Sequence, residues 1–397
     1  MPEFFEFFAG GGMARAGVGD GWTCTFANDF DSMKAQIYRE NWGGDHFREG
    51  DIRSIATSDL PGHPSLVWAS TPCQDLSMAG DGVGLGDGES MLTRSGAFWP
   101  WVDLMRKLAA EKRKPPVMVF ENVVGALSSN GGADFAIVAK AFHDAGYIFG
   151  AVQVDAVMFL PQSRPRLFVV GIDKDLVIPP AMRMLGPQAP WHTAAIQAAF
   201  DRLPEKMRED WAWWGLPQPL VRRPTLDSLI EEQPTGVAWH GAAETKKLLS
   251  SMSPINIAKL AQAKALGRRV VGTAYKRTRP VGKPTVVGGK KVQKRKVFTE
   301  IRFDGVAGCL RTPSGGSSRQ TVIVVEGLRV RTRLLSTREC ARLMGLPDTY
   351  RMPENYNDGY HLAGDGVAVP VVRFLAQHLL EPLVSASVRE TEIRMAG

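Results

Sequence analysis

An α/β fold is what this sequence predicts: a doubly wound, mostly parallel sheet with a smaller, irregular, β-rich domain beside it. Three observations predict it. Short apolar runs closed by small residues alternate with stretches of helical spacing through residues 1–172, the pattern of a parallel sheet buried on both faces. Glycine clusters and acids recur at the ends of those runs, where open α/β sheets build their sites. From 173 to 325 the texture changes to prolines, clustered tryptophans (191, 211, 213, 214, 239) and cations, and from 326 to 397 helical order returns. Three segments are therefore expected: 1–172, 173–325 and 326–397.

Taken in order, residues 3–8 form a dense aromatic run that fits a central strand and opens into Ala9, Gly10, Gly11 and Gly12, after which a helix starts at Met13. A strand–glycine–helix junction lets a ligand approach the backbone and points free N–H groups at it. The next strand, 22–27, ends at Asn28-Asp29-Phe30-Asp31. An acid there, about 20 residues after the glycines, occupies the ribose-hydroxyl position of a nucleoside-binding α/β fold. Residues 47–52 supply Asp51, followed by Ile52, at a third strand end. Residues 64–69 are a short buried strand closed by Pro72, and Cys73 follows at the start of a glycine-rich loop, 75–96. A lone cysteine is most often a small buried hydrophobe; one at a strand end leading into a loop is also a candidate nucleophile.

Residues 95–110 carry Ala97, Trp101, Leu104, Met105 and Leu108 at helical spacing, and Pro115-Pro116 break that helix. The strand 117–120 ends at Glu121-Asn122-Val123, and a carboxylate behind four apolar residues lies near low-dielectric surroundings that favour acid chemistry. A helix over 134–145 follows. Strands 150–154 and 167–171 flank Pro161-Gln162-Ser163-Arg164-Pro165-Arg166, where alternation points Arg164 and Arg166 to one face of an extended segment. Near the end, 335–344 reads as a helix opened by a Ser336–Glu339 capping box, and Gly364-Asp365-Gly366 leads into a helix over 369–380.

Composition narrows the class. The chain is 44% hydrophobic and 22% charged, and no apolar run approaches the length of a membrane span. Acids at Glu3 and Glu6 do not suit a signal peptide. Four cysteines at 24, 73, 309 and 340, without CxxC spacing, fit neither a disulfide framework nor a zinc site, so no metal and a reducing cytoplasm are expected. The net charge of +7 is local: thirteen Lys/Arg, among them Lys276, Arg277 and Arg279, lie between 264 and 302 against one acid, Glu300. Valines and aromatics interleave with them, which suggests strands with a cationic face suited to a polyphosphate backbone.

In their order these motifs resemble those of the DNA (cytosine-5)-methyltransferases of prokaryotic type. Phe8-Ala9-Gly10-Gly11-Gly12 resembles the cofactor glycine motif, and Asp29, Phe30, Asp51 and Ile52 fall where that family binds S-adenosylmethionine. Pro72-Cys73-Gln74 is similar to the nucleophile motif, Glu121-Asn122-Val123 to the acid motif, and Gln162-Ser163-Arg164-Pro165-Arg166 to the double-arginine motif. Residues 333–348 resemble the penultimate motif. Gly364-Asp365-Gly366-Val367 opens the last, which returns beside the first to complete the cofactor pocket. Glu6 stands where the family often has Asp, Asp29 where it usually has Glu, and Asp365 where it usually has Asn.

The resemblance implies a Rossmann-like S-adenosylmethionine-dependent methyltransferase fold. In it 1–172 holds catalysis and cofactor, 173–325 recognises the target, and 326–397 completes the catalytic domain. It implies Cys73 adding to C6 of a flipped-out cytosine, Glu121 protonating N3, and Arg164 and Arg166 holding the nucleotide. Gln74, Ser77 and Gln162 are expected near the DNA, Pro72, Asp365 and Val367 near the cofactor, and Lys276, Arg277 and Arg279 on phosphates. Double-stranded DNA is the expected partner of a monomer, with a separately encoded restriction endonuclease as a further one. Three rivals are weighed: a nicotinamide oxidoreductase, which leaves Cys73, Glu121 and the arginines idle; an RNA cytosine-5 methyltransferase; and a silent DNA-binding relative.

Overall fold

The computed structural model describes residues 1–72, 95–219, 223–287, 290–311 and 319–387. Cys73, Gln74 and Ser77 lie outside the described residues. The chain forms two compact units, one from the described parts of 1–158, 165–221 and 366–397, the other from those of 159–164 and 222–365.

The first unit is built on a seven-stranded sheet: β1 (Glu3–Phe7), β2 (Thr23–Asp29), β3 (Phe47–Glu49), β4 (Leu66–Ser70), β5 (Val117–Val123), β6 (Tyr147–Asp155) and β7 (Pro165–Asp173). They lie in the order β3-β2-β1-β4-β5-β7-β6. Strands β1 to β5 pair in parallel, and β7 runs antiparallel to both β5 and β6. This is the predicted doubly wound sheet, with α1 (Met13–Val18), α2 (Ser32–Trp42), α3 (Phe98–Ala110) and α4 (Ala133–Asp144) in its crossovers. Strand order reverses between β1 and β4, so the crevice at their carboxyl ends is the natural binding place.

The aromatic run of β1 follows from this position. Phe4, Phe5 and Phe7 are all buried in a strand covered on both faces. Helix α3 buries Trp101, Leu104, Met105 and Leu108, the stripe its spacing predicts, although it opens with a 3-10 turn over Ser95–Ala97. The sheet packs against it through the ring contact of Trp101 with Phe120, and α4 through that of Trp101 with Phe142.

The described residues 165–219 belong to this unit, whereas the sequence suggests a change of domain at 173. Their tryptophans are core: Trp191, Trp211 and Trp214 are buried, and Trp214 Nε1 donates to the Val170 carbonyl at 3.1 Å. The irregular backbone is stitched to β6, with Phe149 donating to the Asp210 carbonyl and Ala212 donating to that of Phe149.

The C-terminal helix Val369–Leu375 closes on α1. A Cβ on Gly17 would lie 2.3 Å from Val372 Cβ, and Arg373 Nη1 donates to the Val18 carbonyl at 2.6 Å. The stretch Tyr356–Ser387 contains an 18-residue window of mean hydropathy 1.4, enough to cross a membrane by length and composition. The helix is interrupted over 366–368, and 61% of that window is buried inside the protein, the condition of core helices.

The second unit holds a four-stranded antiparallel sheet in the order Arg295–Arg302, Arg269–Pro280, Thr321–Glu326, Arg329–Leu334. Leu260 and Ala263 of the helix Pro254–Ala265 pack with Ala274, Ile301, Ile323 and Val325 in its core. The helix Thr337–Leu343 has the predicted capping box: Ser336 Oγ accepts the Glu339 N–H, and Glu339 accepts that of Ser336. Glu339 also binds Arg333 at 2.6 Å, with both side chains fully buried.

Candidate active site

The end of β1 is strained in a way that marks a site. Phe8 has φ 57, a left-handed conformation that a bulky side chain adopts only under constraint. Ala9 donates to the Asn28 carbonyl, and Gly12 donates back to that of Ala9, which closes the turn. Gly12 itself has φ 77, and a Cβ there would strike the indole of Trp42 at 2.3 Å. Trp42 Nε1 in turn donates to the Gly11 carbonyl at 2.9 Å. Over Gly10 nothing among the described residues lies within 4 Å of where a Cβ would be, so these leave open space beside the turn.

Asp29 braces this turn. Its Oδ2 accepts the Gly10 N–H at 2.8 Å and its Oδ1 the Asp31 N–H at 2.9 Å, while burial raises its pKa. The next residue, Phe30, is 60% exposed, a large ring presented to solvent at a strand end. Asp51 is exposed, its carboxylate accepting the Arg53 N–H and pairing with the Arg53 guanidinium at 2.9 Å, and Ile52 is buried. An open glycine turn, a carboxylate at its side and an exposed aromatic ring suit a nucleoside with ribose hydroxyls and a flat base. Gly366 and Val367 lie in this unit too, Gly366 so close to Met13 that a Cβ would lie 2.2 Å from Sδ.

A second set of groups gathers at the ends of β4 and β5. The register sets Ser70 beside Glu121, so Thr71 and Pro72 run on past the carboxylate toward Cys73. Asn122 Nδ2 holds that exit, donating to Thr71 Oγ1 at 2.9 Å and to its carbonyl at 3.2 Å. Glu121 Oε1 lies 3.3 Å from Arg166 Nε, both side chains largely buried. The sequence motifs mark Glu121 and Arg166 but not the Asn122–Thr71 clamp or Trp42. A polar residue directly after a buried strand-end acid was the available signal for Asn122; nothing local pointed to Trp42.

Arg164 and Arg166, which alternation points to one face, fall in different compact units. Arg164, in the second unit, is buried, with Nη2 donating to the Gly364 carbonyl at 2.7 Å and Nη1 to that of Leu310 at 3.1 Å. Gln162 is also fully buried, donating to the Leu343 carbonyl at 2.6 Å and accepting the Leu310 N–H. Asp365 Oδ2 lies 3.1 Å from His361 Nε2. Of the three cations predicted on phosphates, Arg277 and Arg279 share one face of their strand and Lys276 takes the other. Among the described residues no His, Cys, Asp and Glu cluster could hold a metal ion.

Comparison with known proteins adds to this geometry. A family model described as C-5 cytosine-specific DNA methylase matches residues 3–381. The type II methyltransferase M.HhaI of Haemophilus parahaemolyticus is 24% identical over 380 residues, covering 95% of this chain and 94% of that protein. M.BsuFI of Bacillus subtilis is 26% identical over 388 residues, covering 97% and 74%. Among solved structures, the Dnmt2 methyltransferase of S. pombe aligns with a TM-score of 0.55 at 16% identity over 96% of this chain and 99% of that one. The Entamoeba histolytica methyltransferase EhMeth aligns at 0.58 and 14%, over 97% and 98%. These structural likenesses establish the fold.

Proposed function

The chain belongs to the C-5 cytosine-specific DNA methylase family, and from that premise we propose that it methylates C5 of a cytosine flipped out of duplex DNA, through a covalent adduct between Cys73 and C6. It is a DNA cytosine-5 methyltransferase. The observation that carries it is the Glu121–Arg166 pair at the end of β5, beside the strand whose exit leads through Thr71 and Pro72 to Cys73.

Cytosine C5 is too weak a nucleophile to act unaided. Addition of the Cys73 thiolate to C6 moves the ring's electrons toward C5, and Glu121 holds a proton at N3, which accepts the displaced charge. Arg166 fixes the Glu121 carboxylate toward the base, and the Asn122 clamp holds Thr71, two residues before Cys73 in sequence. After C5 is alkylated, its proton leaves and the thiolate is eliminated, which restores the aromatic ring. S-Adenosylmethionine, when bound, supplies the electrophilic methyl group. The glycine turn, Asp29, Phe30 and Asp51 are the residues we assign to its nucleoside. Pro72, Asp365 and Val367 are assigned to it by their motifs alone, and Arg164 and Gln162 brace their own segment. The cationic strands of the second unit are assigned to the DNA backbone.

Tritium transfer from labelled S-adenosylmethionine to mixed-sequence duplex DNA, with hydrolysed bases separated, tests this reading. Label in 5-methylcytosine that disappears in Cys73→Ser is the expected result. Label retained by that variant removes Cys73 from the mechanism, and label on RNA alone moves the substrate to RNA.

A further inference from the structure

The cationic strands of the second unit carry one acid, and its position is specific. In the antiparallel register Tyr275 faces Glu300, Arg277 faces Phe298 and Arg279 faces Lys296. Alternation puts these six residues on one side of the pair of strands. The residues of opposite parity, Ala274 and Ile301, are buried in the core with the helix Pro254–Ala265. The Glu300 face is therefore the one turned away from that helix.

On this face Glu300 is held by three side chains. Its Oε2 accepts the Tyr275 hydroxyl at 2.7 Å, and its Oε1 accepts Arg279 through Nε at 2.6 Å and Nη2 at 2.5 Å. Arg277 Nη1 stands 3.9 Å from Oε2. The carboxylate is only 14% exposed while the two arginines are 56% and 51% exposed, so the acid lies beneath and the cations lie outermost. Burial alone would raise the Glu300 pKa, but the bonds from Tyr275 and Arg279 outweigh it and keep the group ionised. Lys296 Nζ sits 5.4 Å over the Phe298 ring on the same face.

A surface that only attracts polyphosphate would do better without this acid, because a negative charge among the cations subtracts from the counterions released on binding. What the acid provides is order. A free arginine loses rotamer freedom when it docks, and a side chain already fixed does not. Glu300 takes two of the five N–H donors of Arg279, which leaves three for an outward acceptor. We propose that Glu300 is a positioning residue for DNA: it presets Arg279 and Arg277 as a spaced pair of guanidinium groups that fit phosphates of the target duplex. This rests on reading the cationic strands as a DNA surface.

The test measures binding of the full-length enzyme by fluorescence anisotropy, over a salt series, to two duplexes of equal length. One is a duplex that accepts label in the tritium assay, the other a duplex that does not. Glu300→Gln removes the charge and keeps the shape; Tyr275→Phe loosens the carboxylate without changing net charge. Glu300→Gln should weaken the substrate duplex by about tenfold, the scale of freeing one or two arginines, and bind the other duplex as well as or better than wild type. Tyr275→Phe should weaken the substrate duplex in the same sense and by less. If Arg277→Gln/Arg279→Gln loses affinity while Glu300→Gln binds both duplexes more tightly, the acid merely subtracts charge and the positioning role is refuted. If that double variant binds both duplexes like wild type, the strands do not touch DNA, and both the surface reading and the positioning role fall.

Discussion

Replacing Glu6 by Gln should make the protein more stable, and by an amount that grows with pH. Glu6 lies on β1, fully buried, with Oε1 accepting the Arg15 N–H at 3.2 Å and Oε2 buried without a hydrogen-bond partner among the described residues. Burial pushes its carboxyl up from 4.5 to about 8; the amide and charge of Arg15 pull the other way and are outweighed, and nearby Asp29 adds to the rise. Below pH 4.5 the folded and unfolded chains both hold the proton. Between 4.5 and about 8 only the folded chain holds it, so unfolding releases a proton and rising pH favours the unfolded state. The loss runs at about 1.4 kcal/mol per pH unit, reaches about 5 kcal/mol near pH 8, and stops growing above it.

The assay is urea unfolding of wild type and Glu6→Gln at pH 5 to 8.5, followed by tryptophan fluorescence. Trp68, Trp101, Trp191 and Trp214 are buried in the unit that contains Glu6. Subtracting one curve from the other cancels every titrating group the two proteins share. The stability advantage of Glu6→Gln should widen by about 4 kcal/mol from pH 5 to 8. A flat difference would mean that Glu6 has the same affinity for its proton folded and unfolded. A difference of opposite slope would mean that the Arg15 guanidinium and the α1 amides hold it ionised, and the account of its burial would be wrong.

Other substitutions probe other joints. Gly17→Ala puts a Cβ 2.3 Å from Val372 Cβ and 2.9 Å from the Val369 carbonyl, and should cost about 1–3 kcal/mol in a thermal or urea melt of the first unit. Glu339→Gln breaks a fully buried ion pair with Arg333 and should destabilise the second unit by about 3–5 kcal/mol, seen as an earlier urea transition. Glu121→Gln should lower the rate of label transfer to duplex DNA by about 10²–10⁴ while DNA affinity in a gel-shift titration stays within a few-fold; a large loss of affinity with little loss of rate would move Glu121 from chemistry to binding.

The sheet was legible because its strands are near-continuous apolar runs that end in glycine, acid or proline, and burial on both faces imposes that pattern locally. The capping box at Ser336 was legible for the same reason, since its two partners are three residues apart. The compact units were harder to read. Residues 173–219 look irregular, yet their backbone bonds to β6 and their tryptophans fill the first unit's core, contacts that no local pattern encodes. The same holds for Arg164, whose carbonyl partners at Leu310 and Gly364 lie far along the chain.

The acids carry the matter further. Sequence places Glu6, Glu121, Glu300 and Glu339 with equal ease, each in or beside an apolar stretch, but not the side chains that reach them. What separates them is whether a guanidinium reaches the carboxylate. Arg166 lies 3.3 Å from Glu121, Arg279 reaches Glu300 at 2.5 Å and Arg333 reaches Glu339 at 2.6 Å. Arg15 is near Glu6 but turns its guanidinium to the Tyr38 hydroxyl at 3.2 Å, so Glu6 receives only a backbone amide from it and burial decides its state. For Glu6 and Glu300 the direction in which the proton affinity moves thus follows side-chain direction: burial raises it at Glu6, and Tyr275 and Arg279 lower it at Glu300. A carboxylate inside a strand becomes a clamp for arginines, as at Glu300, or a neutral core residue, as at Glu6, according to whether the fold turns a guanidinium toward it.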